Sequence, residues 1–380
     1  MSDGVVSRRV LLHSGAVAVA GTLPGCIDDG ESRTNDVDPP PFGPLASEWP
    51  LVGFDAQGTA ASPAAEGPLT EPTVEWQIRL AGRAAPRVVA TDAVLAVAGG
   101  EGLHVFDLAA GERAWSLDRA PASVPALDSQ HLYVLADGPR LTAYPHDDDE
   151  ETWDRTLGGA HTAPVVHDGT VYVGHDDGRI SAVDATDGEV LWQITVGDRV
   201  HDLVTDGEYV AAHTDTGLVV RPLEDRSSGW EIDVDCCREQ SPAIRDGAVY
   251  SGGNDMTSFD LDDGDQYWSR KVTYGTSHAP TVDADRVYLG RRTLTAFDAT
   301  TGETDWEADL QVEEVGPRPV VTSDTAFVGG GPTERRVEAV ATDDGASRWS
   351  AWIDGPPLTL VVVGRRLLVG SSGGRLFSVA

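Results

Sequence analysis

Ala163 to Trp192 reads APVVHDGTVYVGHDDGRISAVDATDGEVLW, and Ala279 to Trp306 reads APTVDADRVYLGRRTLTAFDATTGETDW. Each copy holds a short apolar run after a proline, a turn, a second run (Val171 to Gly174 in the first copy), a third (Ile180 to Asp184), and a last segment around the tryptophan. The runs are rich in Val, Tyr and Phe and are separated by Asp-Gly or Thr-Gly pairs such as Asp168-Gly169. Those pairs accept the positive φ that tight hairpins need, so the unit reads as four short antiparallel strands. No stretch from Trp49 to Ala380 keeps a 3.6-residue apolar period, which removes helices from the plan.

Outward from this unit, tryptophan recurs as Trp76, Trp115, Trp153, Trp192, Trp230, Trp268, Trp306 and Trp349, at steps of 39, 38, 39, 38, 38, 38 and 43 residues. A four-stranded unit repeated at about 40 residues is the signature of a β-propeller blade. A ring at one fixed phase buries about 150–250 Å² while its indole N–H still finds an acceptor, so all eight are expected to pack between blades. The ends of the chain set the count. Leu358 to Ala380 supplies three strands with no tryptophan strand after them, and Val74 to Leu80, around Trp76, supplies the missing fourth. The predicted fold is all-β: an eight-bladed propeller over residues 47–380, closed by pairing the N- and C-terminal strands, which also removes two free sheet edges. The step of 43 is assigned to a longer loop at Gly329 to Arg336, between the second and third strands of its blade.

The segments AVDATDGEVLW (Ala182 to Trp192), HVFDLAAGERAW (His104 to Trp115), SFDLDDGDQYW (Ser258 to Trp268) and TAFDATTGETDW (Thr295 to Trp306) resemble the tryptophan-docking repeat of the quinoprotein-type (PQQ-like) propellers. Trp49-Pro50 with Phe54-Asp55 and Thr59 is similar to the segment that precedes the first blade in that superfamily. The pattern departs in the fourth unit, where RPLEDRSSGW (Arg221 to Trp230) lacks the acidic turn, and in the second, where Pro145 to Asp149 replaces it.

The first residues carry a separate message. Ser7-Arg8-Arg9-Val10-Leu11-Leu12 before an apolar run to Leu23 resembles a twin-arginine export signal, and Leu23-Pro24-Gly25-Cys26 resembles a lipobox. Residues 1–26 are read as the signal segment, with Cys26 as the lipidated first residue of the mature chain; a plain cleaved signal or an uncleaved anchor is the alternative. Residues 27–46 are acidic and proline-rich and serve as a linker.

A net charge of −34, with Lys271 as the only lysine, cannot favour binding to nucleic acid or anionic lipid headgroups. Acid on this scale is a surface adapted to high salt, where screening weakens self-repulsion, and points to a haloarchaeal source. Acidic runs at Asp147 to Glu151 and Asp260 to Asp265 are read as solvated turns, with calcium binding as the alternative.

Residues that share a phase converge on the axis, so the segments ahead of the inner strands are where a site would assemble. His161, His201, Cys236, Cys237, Glu239, Gln240 and His278 are placed there, and His161, His201, Glu239 and His278 form the candidate metal or ligand set. The adjacent pair Cys236-Cys237 resembles, in chemistry though not in position, the vicinal bridge near the cofactor of quinoprotein alcohol dehydrogenases; two loop thiols, or a bridge that only rigidifies, are the alternatives. No G-x-S-x-G, H-E-x-x-H, Walker or C-x-x-C motif is present, and no catalytic residue is assigned. The expectation is a monomeric, lipid-anchored extracytoplasmic propeller, similar in architecture to the BamB-like lipoproteins, that binds a cell-surface or membrane protein and takes no cofactor. The competing expectation is a redox enzyme using pyrroloquinoline quinone (PQQ) or a metal, with calcium as a further candidate, or a sugar-binding propeller.

Overall fold

The computed structural model describes residues 48–380, apart from 81–85, 101, 109, 111, 137–138, 235–239 and 273–277. Cys26, Cys236, Cys237 and Glu239 therefore lie outside the described residues, as do the signal and the linker.

The described residues form 32 strands, β1 to β32 in chain order, arranged as eight antiparallel sheets of four. Seven sheets are consecutive quartets and make blades 1 to 7, at residues 87–117, 126–156, 165–195, 200–233, 243–271, 281–308 and 320–352. Blade 8 joins the two ends of the chain. In it β1 (Val74–Arg79) pairs with β32 (Arg375–Val379), followed by β31 (Arg366–Ser371) and β30 (Pro357–Val363). Arg366 Nε lies 2.7 Å from Glu75 Oε2 across the join. The longer loop falls between β27 (Thr325–Gly329) and β28 (Arg336–Ala341), as the spacing predicts.

Burial follows strand position. The second strand of a blade is packed on both faces, and β3 (Val94–Gly99, VLAVAG) is buried throughout; the outermost strand meets solvent on one face, and β1 (VEWQIR) alternates accordingly. The Asp-Gly hairpins take positive φ at both central residues, 43° and 72° at Asp168-Gly169 and 50° and 75° at Asp246-Gly247, which is the turn whose twist matches the flanking strands.

The docking tryptophans of blades 2, 4, 5 and 6 reach into the next blade, and Trp349 donates instead to Pro68 O at 2.7 Å. Trp153, Trp230, Trp268 and Trp306 donate their indole N–H to the carbonyls of Ala185, Leu261, Ala299 and Thr342 at 2.9–3.0 Å, just inside the outer turn of the following blade. The ring then lies on the glycine of that turn. A Cβ on Gly188, Gly264, Gly302 or Gly345 would fall within 2.4–2.7 Å of the tryptophan of the preceding blade, so the Asp-Gly signature of the repeat is half of the docking site. Where the second unit departs from the pattern, His146 still supplies a carbonyl to Trp115, at 3.0 Å. Where the fourth departs, Trp192 is left half-buried with the Arg226 guanidinium 4.9 Å above its ring.

Histidine ties the second strands of two blades. His213 in blade 4 donates from Nδ1 to the carbonyl of Gln240 and accepts at Nε2 from Ser251 Oγ of blade 5, 2.9 Å away. Burial pushes its pKa down from 6.5 to about 4. An unfolded chain would take up this proton first as the pH falls, so the stability is fully present above about 6.5 and is lost progressively toward 4, by about 3 kcal/mol. Burial depresses His104, His146, His161, His175 and His278 in the same direction. Unfolding midpoints of the native protein should therefore drop more between pH 7 and pH 4.5 than those of His213→Gln, and equal drops would refute the role of His213.

Candidate functional site at the propeller axis

Residues 49–67 run as a strap around the inside of the ring, touching the inner strands nearly one blade at a time. Trp49 exchanges two backbone hydrogen bonds with Ala90 of blade 1, and Pro50 O accepts from Leu127 of blade 2. Ala56 O, Gln57 O, Thr59 O and Ala60 O then accept from Thr205, Ile244, Val282 and Val321 of blades 4, 5, 6 and 7. Glu66 and Gly67 donate to Gly364 of blade 8. Successive strap residues serve successive blades because the ring is narrow at its axis. Gly58 makes the close approach possible: its φ is 68°, and a Cβ there would lie 2.6 Å from Val204.

Beside the strap is a half-buried charged group that the sequence reading did not single out. Arg318, in the loop that enters blade 7, donates from Nη2 to Gly58 O of the strap at 2.5 Å and to Pro280 O. Its Nε is buried without a hydrogen-bond partner. Asp55 of the strap accepts from the N–H and Oγ1 of Thr59, at 2.9 and 2.6 Å. Asp202, in β14 (Val200–Thr205), accepts from Leu203 N–H at 2.8 Å and from Ser241 Oγ. Burial raises both carboxylic acids above the usual carboxylate range and draws Arg318 down to about 10; the charges of Asp55 and Asp202 oppose that fall. Arg318 lines a cavity of about 400 Å³ together with Arg87, Asp202, Ser241 and His278.

The histidines of the candidate set occupy different surroundings. His161 Nδ1 is 3.5 Å from Asp176 Oδ1, and Arg199 Nε is 3.1 Å from the same oxygen and 3.3 Å from His161 Nε2. His201 lies inside β14 and not in the loop ahead of it, because that blade lacks the proline that starts other inner strands; its Nε2 is 2.7 Å from Asp215 Oδ1. His278 faces Val315 O at 3.4 Å. Among the described residues no group of three or more His, Cys, Asp or Glu is set to hold a metal ion. A tricarboxylate quinone bound with a divalent cation needs such a group; Arg87 and Arg318 in this cavity could meet the carboxylates, but no cluster among the described residues is set to hold the cation. The described residues do not fit that cofactor.

A larger cleft, of about 780 Å³, opens where the strap skips a blade. Between Pro50 and Ala56 the strap turns back on itself, with Phe54 N–H bonded to Leu51 O at 3.1 Å, and it bypasses blade 3. Leu51, Phe54, Tyr133 and Val166 give the cleft an apolar floor, with Glu48, Asp128 and Asp168 among the acidic residues that line it.

The family described as outer membrane protein assembly factor BamB matches residues 103–246 and 224–380, which is most of the ring. The chain belongs to the BamB family. BamB of Yersinia pestis is 28% identical over 153 residues, covering 35% of this chain and 39% of that protein, so the match spans well under half of the curated relative. Among solved structures, BamB of Moraxella catarrhalis superposes with a TM-score of 0.65 at 18% identity, over 81% of this chain and 99% of that one. A quinohemoprotein alcohol dehydrogenase from Comamonas testosteroni superposes at 0.68 with 15% identity, over 87% and 80%. At such identities the structural likeness establishes the fold alone. Within the BamB-family ring, two signals could have pointed to the axial charges: an aspartate inside the apolar inner strand VHDLVT, and an arginine between two prolines at Pro317-Arg318-Pro319.

Proposed function

We propose that this BamB-family protein is a lipid-anchored, extracytoplasmic scaffold that binds another protein at the cell surface or membrane, in a haloarchaeal setting. The observation that carries this reading is the strap. It lines the inside of the ring, where a propeller enzyme would open its pocket, and leaves about 400 Å³ beside Arg318 and a larger cleft beside blade 3 where a partner can dock. The relatives described as assembly factors support a protein partner, and the acidic surface supports a high-salt environment. The twin-arginine-like and lipobox-like motifs support export and an anchor at Cys26.

The experiment uses the full chain in its own membranes. After crosslinking, one protein should co-purify at fixed stoichiometry, and Cys26→Ser should move the propeller to the soluble fraction. Continued membrane retention of the variant would remove the lipid anchor. A thermal shift with PQQ and calcium, or dye-linked oxidation of an alcohol or sugar by the purified protein, would replace the scaffold with a redox enzyme.

A further inference from the structure

We propose that the cleft beside blade 3 takes an extended segment of a partner protein, alternating apolar and basic residues, which pairs with the inner edge of β10 (Val165–His167). This rests on the scaffold reading and adds to it the docking surface and the chemistry of what docks. In blades 2, 5, 6 and 7 the second residue after the proline that opens the inner strand turns its N–H to the axis. Leu127, Ile244, Val282 and Val321 give these N–H groups to the strap carbonyls of Pro50, Gln57, Thr59 and Ala60, at 2.8–3.2 Å. Val166 holds the same position after Pro164.

The register fixes the direction of its N–H. His167 pairs with Thr170 across the Asp168-Gly169 hairpin and Val165 pairs with Tyr172. Val166, opposite Val171, therefore occupies the position between hydrogen-bonded pairs, and its N–H points away from β11 (Thr170–Gly174) toward the axis. Among the described residues no strap carbonyl receives it, because the strap turns back at Leu51 to Phe54 and rejoins the ring only at blade 4. Blade 3 thus presents the donor that four other blades have already paired. A strand edge of this kind is completed by the carbonyl of an added extended chain.

The lining states what that chain carries. Side chains of an added strand alternate in direction. One set would meet the apolar floor of Leu51, Phe54 and Val166, and the other the acidic rim of Glu48 and Asp168; no lysine or arginine lines the cleft. Asp168 has a side chain 93% exposed, so its charge is available to a partner. Basic residues between apolar ones match this lining, and acidic ones are repelled by it and by the −34 charge of the whole chain.

The test titrates a dye-labelled alternating arginine–valine octapeptide into the full-length protein at high salt and reads anisotropy and amide exchange. The peptide should bind, slow exchange at residues 165–167, and be ignored when glutamate replaces its arginines. Val166→Pro removes the outward N–H of an edge strand and changes one side chain of the apolar floor, and should weaken binding about tenfold, whereas Val166→Ala, which keeps the N–H, should weaken it far less. Glu48→Gln with Asp168→Asn keeps the turn and should weaken it about fivefold; this pair decides the matter if Val166→Pro does not fold. Unchanged affinity in the folded variants, or protection elsewhere, overturns the proposal. Slow exchange at Val166 without peptide would assign the cleft to the chain's own preceding residues, or to a second copy if it grows with protein concentration, and overturns it as well. A membrane partner retained by a Val166→Pro protein that has lost the peptide would sink the cleft while the scaffold reading stands; peptide binding with no membrane partner would do the reverse.

Discussion

A chain lacking Glu71 to Leu80 is expected to lose amide protection in β30, β31 and β32 while blades 3 to 6 keep theirs. The deleted strand carries Trp76, Ile78 and Leu80 into a cluster shared with Leu376, Phe377 and Val379 of β32 and with Trp349 of blade 7. Removing a buried tryptophan costs about 3–5 kcal/mol and each large aliphatic about 2–5, so the total is on the order of 8 kcal/mol or more. That matches the whole stability of an ordinary domain, about 5–15 kcal/mol. In a ring of repeats the loss falls on the unit and its neighbours before it spreads, because each blade touches only the next. It also leaves β32 as a free edge, which is the hazard that closure removes. Hydrogen exchange that rises evenly in all eight blades would show that β1 does not close the ring.

The repeat made the fold legible because its two signals are local: glycine turns at fixed offsets and an aromatic at one phase. The spare strand at Trp76 and the three strands after Leu358 then had only each other to pair with. The axis was less legible. Asp202 and Arg318 come from blade 4 and the loop entering blade 7 and Asp55 from the strap, and nothing in their spacing announces that their charges act on one another. The strap works mainly through backbone carbonyls, which any residue supplies, so its path around the ring is not written in the sequence; Gly58 and the pattern Trp49-Pro50, Phe54-Asp55 and Thr59 are the marks it leaves there. The shared phase puts His201 in the loop ahead of its inner strand, yet it lies within β14, whose unit lacks the proline that opens the others. The cleft arises from a turn at Leu51 to Phe54 that does not follow the period of the blades.

Trp306→Ala should destabilise the propeller by about 3–5 kcal/mol, and Trp192→Ala by about 1–2, although the two occupy the same phase. Trp306 is buried, donates to Thr342 O at 2.9 Å, and lies on Gly345 of the following turn. Its removal empties a closed site and leaves that carbonyl unpaired, so both the cavity and the lost hydrogen bond count. Trp192 has no turn glycine beneath it: RPLEDRSSGW replaces the acidic turn, and Arg226 covers a ring that solvent still reaches. The site can close over an alanine, and what is lost is partial burial plus a cation–π contact of about 0.5–1 kcal/mol. Urea unfolding of the two variants separates the explanations. A cost for Trp192→Ala equal to that of Trp306→Ala would mean that the ring alone holds neighbouring blades together. A cost several-fold smaller assigns the difference to the glycine turn that receives the ring, and Gly345→Ala, which sets a Cβ 2.6 Å from Trp306, should then be nearly as damaging as loss of the tryptophan.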